Sequence, residues 1–453
     1  MRLLTLSIAS LLVCAAAPQT DPALERAHKL AEKGMHELHA YAYLDQLVNG
    51  VGPRSAGSKG ADKAVSWGLA KMKEIGLANV HEIPCMVHTW ERGAAEKLTL
   101  KSNGKSTPLS CCALGNSIAT APNGLTAEVI EVRSDEELAA LGVKAKGKII
   151  FFNRPMNPAL SNTFDAYGGA VGQRVNGAAA AARLGAVGVL VRSMTMAHDN
   201  VPHTGSMNYE KGVTQIPAAA VSLVAADRLS KTIKDNPQAM VTLKMHCRTL
   251  PDRPSASVAG EIPGTEAGRD IVVLGAHLDS WDITPGAHDD GAGVVQCLEA
   301  ARLIKSLGWK PKRTMRFIFF MNEENGGEGA KAVFESMKGA GETVYAALES
   351  DSGGFAPRAF GASLDAEGVE ALGPYMPALK LFGIERIDAK GRGGADIGPL
   401  AALGAKLFGL VPESQAYFDV HHSRKDTLAS VNPRELQMGA HAMTMLSVLL
   451  ANE

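Results

Sequence analysis

The sequence predicts an α/β protein: a mixed, centrally parallel sheet with helices on both faces, carrying a second, smaller αβ unit. Three observations predict it. From residue 255 onward, short apolar runs alternate with helical patterns. Those runs are continuous rather than alternating, as in strands covered on both faces. Between residues 116 and 244 the texture changes to short strands around an Ala-rich helix, a compact stretch that reads as a unit of its own. A chain of 453 residues allows two or three domains at roughly 100–200 residues each.

The elements follow in order. Met1-Arg2, the apolar run Leu3 to Ala17 and the small residues Ala15-Ala16-Ala17 read as a signal peptide over 1–17,. The run of about 15 residues falls short of the ~20 that span a bilayer. Export to a secreted or periplasmic location follows, with no membrane-spanning segment. Residues 22–49 read as an exposed amphipathic helix, and Gly50 to Ser58 as a turn-rich loop,. A second helix runs to Ile75, where Gly76 stops it,. Short strands are expected over 80–115. Within 116–244, strands are expected at Thr126–Val132, Gly147–Phe152, Val187–Arg192 and Ala218–Val224, with a helix at Val175–Leu184. Gly142, Gly147 and Lys148 imitate a phosphate-binding loop. Ile149 replaces the required Ser or Thr, and a strand follows where a helix belongs,.

Beyond residue 255 the expected strands are Ile271–Ala276, Thr314–Met321, Val344–Leu348 and Lys406–Val411. The expected helices are Gly291–Leu307, Gly329–Lys338 and Pro433–Leu450. The even balance of 46 Lys+Arg against 47 Asp+Glu excludes a nucleic-acid binder, which needs a basic excess or stripe,. The 6 cysteines are too scattered for a disulfide scaffold, one or two bridges aside,. Cys297 reads as a buried thiol.

Ligands of such sheets bind at the carboxyl edge of the strands, and there the chemistry gathers. The edges carry His277-Leu278-Asp279-Ser280, His288-Asp289-Asp290, Asn322-Glu323-Glu324, Glu349-Ser350-Asp351 and His421-His422-Ser423-Arg424-Lys425-Asp426. Each has an ordinary explanation alone: a helix cap for Asp289-Asp290, a solvated turn for Glu323-Glu324, a structural imidazole for His277. Together, so many carboxylates on one edge repel and raise each other's pKa unless cations neutralise them. Imidazole and carboxylate without thiolate suit hydrolytic zinc. Three carboxylates and two neutral imidazoles around two dications and one hydroxide are neutral, as a partly dry site requires. One bridging carboxylate would hold the metals ~3.5–4 Å apart.

His277-x-Asp279-Ser280, Asp289-Asp290-Gly291-Ala292-Gly293, Glu323-Glu324, Asp351 and His422-Ser423-x-x-Asp426-Thr427 resemble, in order and spacing, the co-catalytic zinc exopeptidases. That family includes bacterial aminopeptidases and glutamate carboxypeptidases. Gly147-Lys148-Ile149-Ile150, Arg192-Ser193 and Pro202-His203-Thr204-Gly205 resemble a protease-associated domain inserted into the peptidase. The resemblance implies the zinc exopeptidase fold over 22–115 and 245–453, interrupted by that domain over 116–244. It implies two zinc ions per chain, bridged by Asp289, with His277 and Asp351 on one and Glu324 and His422 on the other. Glu323 would be the general base, Asp279 the acid that orients His277, and the Asp289–Asp290 peptide cis. Gly393-Gly394-Ala395-Asp396 lies where relatives place a substrate-contacting loop, which makes Gly394 and Asp396 candidate substrate contacts.

The expected activity is hydrolysis of short unblocked peptides and dipeptides through a metal-bridging hydroxide. The alternative is an aminopeptidase acting on longer peptides. A non-catalytic receptor-like ectodomain predicts a broken ligand set, and a glutaminyl cyclase on the same scaffold predicts a single zinc. The inserted unit is left three roles: covering the site, contacting a partner, or forming a homodimer.

Overall fold

The computed structural model describes residues 21–266, 268, 270–391 and 393–453. The expected signal peptide lies outside these residues. No helix among them is long and apolar enough to cross a membrane.

The first sheet has eight strands in the order β1 (Ala78–Glu91), β10 (Arg248–Ile262), β12 (Met315–Phe320), β11 (Ile271–His277), β13 (Val344–Glu349), β16 (Lys406–Pro412), β14 (Pro357–Ala362), β15 (Arg386–Ala389). The four central strands, β12-β11-β13-β16, run parallel, while β10 and β14 join them antiparallel on either side. Every residue of β11 and β12 is buried, as the continuous apolar runs require. One face packs against helices Ala292–Ser306 and Pro433–Ala451 and the N-terminal helices, through a cluster that includes Leu30, Leu44, Leu274, Leu298 and Leu446. The other packs against helix Glu328–Gly339 through Ile318, Phe320, Val333 and Met337.

Two elements differ from expectation. The single exposed helix over 22–49 is instead two helices, Pro22–Gly34 and His39–Asp45, followed by a widened turn at Gln46–Val51. At the end of the first helix Gly34 lies against the ring of buried His441, where a Cβ would sit 2.2 Å from Nε2. Leu38 then takes a left-handed φ of 48° to restart the helix. Leu30, Leu44 and Leu47 are fully buried, so the segment belongs to the core. Second, the first strand of the expected short series is a fourteen-residue ribbon, β1, which pairs with β10 along almost its whole length.

The second sheet also has eight strands: β3 (Lys105–Leu109), β2 (Lys97–Ser102), β9 (Met240–Lys244), β5 (Leu125–Val132), β6 (Ile149–Phe152), β7 (Gly188–Arg192), β8 (Ala218–Val221), β4 (Cys111–Ala113). Strands from residues 97–113, ahead of the expected 116–244 stretch, thus pair into this sheet. Lys148 precedes strand β6, with no helix behind it to cradle phosphate. Cys85, Cys111, Cys112, Cys247 and Cys297 are all free, and Cys297 is buried.

The two units share a packed boundary. Tyr417 and Phe418 belong to the core cluster of the second unit, where Phe418 stacks on Tyr167 with ring centres 4.7 Å apart. Trp281 packs edge-on against Trp90 at 6.5 Å and against His422 at 5.7 Å. The loops that leave the first sheet at its carboxyl edge are therefore held from two sides.

Candidate active site

His277 is the last residue of β11, Glu323-Glu324 follow β12, and Asp351 follows β13. Parallel neighbours put these strand ends side by side. Asp289 comes from the kinked turn Ala287–Gly291 that enters helix Ala292–Ser306, and the Asp289–Asp290 peptide is cis. His422 comes from the loop after Tyr417–Val420 and carries a left-handed φ of 56°.

These side chains converge. His277 Nε2 lies 3.1 Å from Asp289 Oδ1 and 3.3 Å from Asp351 Oδ1. His422 Nε2 lies 3.1 Å from Asp289 Oδ2 and 3.1 Å from Glu324 Oε2. Two ligands of one tetrahedral zinc at ordinary bond lengths are about 3.3 Å apart, so both groups have the spacing of a metal cradle. Asp289 Oδ2 and Glu324 Oε1 are buried with no hydrogen-bond partner among the described residues, which a bound cation would satisfy. Overlapping groups of three donors recur here, including His277 with Asp289 and Glu324, and Asp289 with His421 and His422. In the latter, His421 Nε2 stands farther off, at 3.6 Å from Asp289 Oδ2.

The electrostatics demand positive charge. Burial, reinforced by Asp289 and opposed by His422, pushes Glu324 up to about 7. Burial also holds Glu323 well above the carboxylate range; His277 opposes this, while Asp351, Glu324 and Asp289 add to it. Asp351 is raised as well, by burial first. Asp289 is the exception. Burial would raise it, but the His277 and His422 imidazoles beside it hold it well below the ordinary range. A crowd of acids around one ionised aspartate is the electrostatic signature of a site completed by cations.

The remaining expected residues separate by role. Asp290, assigned no ligand role, accepts the backbone N–H groups of Gly293 at 2.9 Å and His277 at 3.1 Å, a helix cap,. His288 is structural: its ring stacks on Phe355 at 4.2 Å and its Nδ1 accepts from the Gly354 N–H. Asp279 is adjacent to His277, but the group closest to His277 Nδ1 is its backbone carbonyl, at 3.0 Å. The Asp279 carboxylate stands 3.8 Å from that nitrogen. It accepts instead from the Asn322 and Glu323 N–H groups at 2.7 and 3.1 Å. The turn bearing Glu323 and Glu324 is thus clamped by Asp279. Asp396 is buried beside this cluster with Oδ2 unpartnered among the described residues. Gly394 lies so close to Glu349 that a Cβ would fall 2.3 Å from its carboxyl carbon.

A model of peptidase family M28 matches residues 257–447. Carboxypeptidase Q of Bos taurus is 33% identical over 419 residues, covering 92% of this chain and 86% of the bovine protein. The chain belongs to peptidase family M28. A peptidase M28 precursor from Shewanella amazonensis superposes with a TM-score of 0.90 at 33% identity, over 96% of this chain and 97% of that one. A zinc aminopeptidase from Bacillus subtilis shares the fold at 22% identity, with a TM-score of 0.64 over 90% and 93% of the two chains. With family, fold and donor cluster in agreement, the chain is a zinc metallopeptidase of the exopeptidase kind.

The bonds made by three residues of this M28 peptidase are not visible in its sequence. Asp426 accepts the N–H groups of His288 at 2.6 Å and Asp289 at 3.1 Å, which fixes the turn that aims Asp289. Glu349 accepts from Ala395 at 3.0 Å, Asp396 at 3.4 Å and Ile397 at 2.8 Å, which ties the Gly394–Asp396 loop to the end of β13. Arg54, fully buried, donates to the carbonyls of Leu278 at 2.5 Å, Gly286 at 3.0 Å and Pro285. Burial lowers its pKa while Asp279, Asp426, Asp290 and Asp289 raise it, and a guanidinium stays charged throughout. Arg54 is thus a fixed cation beneath the acids. Replacing it with Met should leave these carbonyls unsatisfied and cost about 3–5 kcal/mol, read as a fall in the urea unfolding midpoint. An unchanged midpoint would remove Arg54 from this role.

Proposed function

We propose that this M28 peptidase hydrolyses short unblocked peptides, dipeptides among them. In this reading Asp289 holds two zinc ions, His277 and Asp351 complete one, and Glu324 and His422 complete the other. The observation that carries it is the division of Asp289: its two oxygens lie 3.1 Å from two different histidines. Zinc bound there would lower the pKa of a water and polarise the scissile carbonyl.

The chain's own residues supply the rest. Glu323 accepts the proton of the attacking water and delivers it to the leaving amine. Its backbone is fixed by Asp279, which keeps the carboxylate next to the cluster instead of in solvent. The His277 Nδ1–H donates to the Asp279 carbonyl, leaving Nε2 as the lone pair that faces Asp289 and Asp351,. Asp396, carried on the loop that Glu349 pins, offers an unpartnered carboxylate oxygen for substrate. Gly394 permits the close approach that sets this loop in place. The second unit is read as a protease-associated domain, supported by the Pro202-His203-Thr204-Gly205 run, and the chain as exported, supported by residues 1–17.

Hydrolysis of free, N-blocked and C-blocked dipeptides, each with and without a chelator, tests the reading. Free dipeptides should be cleaved, the chelator should abolish cleavage, and added zinc should restore it. Chelator-insensitive cleavage would sink the zinc assignment. Cleavage restricted to C-blocked or longer substrates with a free amine would make the enzyme an aminopeptidase instead.

A further inference from the structure

The segment after β7 of the second unit, Ser193 to Gly205, reaches the loop that carries His421 and His422. The contact is reciprocal. The Thr204 N–H donates to the His422 carbonyl at 2.9 Å, and His422 Nδ1 faces the Thr204 carbonyl at 3.4 Å. One residue earlier, His203 Nδ1 lies 2.7 Å from the His421 carbonyl. A carbonyl can only accept, so Nδ1 of His203 carries the proton. His203 is 1% exposed, so no water competes for this bond. Its own N–H donates to Ser193 Oγ at 2.9 Å. Thr204 is anchored in turn, its hydroxyl donating to the Ala113 carbonyl at 2.8 Å.

These bonds bracket an unfavourable backbone. His422 has φ 56°, a conformation costly for a residue with a Cβ and kept only where its surroundings over-determine it. His203 holds the carbonyl before it and Thr204 the carbonyl after it. The other side of the site is tied down from the chain just after β1. Arg92 forms a two-pronged pair with Asp282, at 2.8 Å to each oxygen, on the loop that follows His277. It also donates to the Ala113 carbonyl at 2.6 Å.

The geometry points to His203 and Thr204 as positioning residues of the metal centre, through which the second unit sets the aim and tautomer of His422. The inference rests on the reading of His422 as a zinc ligand. A ligating imidazole needs its other nitrogen engaged, and loss of such a partner typically lowers metal affinity 10–100-fold. The second unit is then part of the zinc site in energetic terms, although it supplies no ligand.

The test is zinc titration of the metal-free full chain against a chromophoric chelator, with circular dichroism reporting the fold. His203→Leu removes the donor, and His203→Asn restores one near the position of Nδ1. His203→Leu frees the His421 carbonyl and leaves the ring's own partner in place, so it should weaken one of the two zinc ions by about tenfold, the low end of the range for a lost partner, and leave the other unchanged. His203→Asn should recover most of the loss. A folded His203→Leu chain that binds both ions as tightly as the wild type overturns the proposal. If His203→Leu fails to fold, Thr204→Val decides. It keeps the backbone groups but loses the hydroxyl anchor, so a selective weakening of one zinc supports the proposal and wild-type affinity overturns it. His422→Ala is the separate control: if it retains two zinc ions, the ligand assignment falls and takes the proposal with it.

Discussion

Glu323→Gln should retain two zinc ions per chain and lose turnover by about 10²–10⁴-fold, the usual contribution of a positioned general base. Gln keeps the size of the side chain and leaves the backbone N–H that Asp279 holds. The close contacts of His277 and His422 are with Asp289, Asp351 and Glu324, so zinc does not depend on Glu323. Gln cannot accept a proton from water, which is the step withdrawn. Metal content by elemental analysis and kcat on a dipeptide check both halves. Full activity would remove Glu323 from the mechanism, and a loss of metal would recast it as a ligand.

Asp289→Ala should abolish both metal sites at once, because its two oxygens serve two different histidines. The readout is linkage. Zinc at a hundred times its dissociation constant stabilises the folded wild type by about 2.7 kcal/mol per site, which raises Tm. The variant should show no zinc-dependent rise, bind no stoichiometric metal and have no activity. Retention of one tight zinc would mean that the two cradles are independent and that Asp289 does not bridge them.

The fold was legible because its signals are local. Ile271–His277 and Met315–Phe320 are wholly buried strands, and a run of adjacent apolar residues encodes that directly. The ligand cluster was legible for a related reason: strand ends of a parallel sheet share one edge, so residues after separate strands can be placed together without coordinates. The bracing roles of Arg54, Glu349 and Asp426 were not legible, although the last two were placed at the right edge. Their bonds run to backbone groups of distant segments, such as Arg54 to Leu278, and backbone carbonyls and N–H groups look alike at every position. Asp279 was located but its work was not. The resemblance implied that its carboxylate orients His277, whereas the carbonyl is nearer to Nδ1 and the carboxylate accepts from the turn after β12. The close approach of Gly34 to His441 joins residues far apart in sequence and leaves no local signal.

The proposed ligands come from the ends of β11, β12 and β13, a turn entering a helix, and a loop braced from the second unit. No short stretch of this chain contains enough of them to hold an ion. A nascent or unfolded chain therefore presents only scattered imidazoles and carboxylates, and the cradle comes into being when the last loop docks. On the proposed ligand set, zinc binding needs the folded sheet edge and the docked loop together, and no single stretch of sequence suffices. Bound zinc would then act as a seal on a completed fold, its presence reporting that the strand ends and the loop have come together.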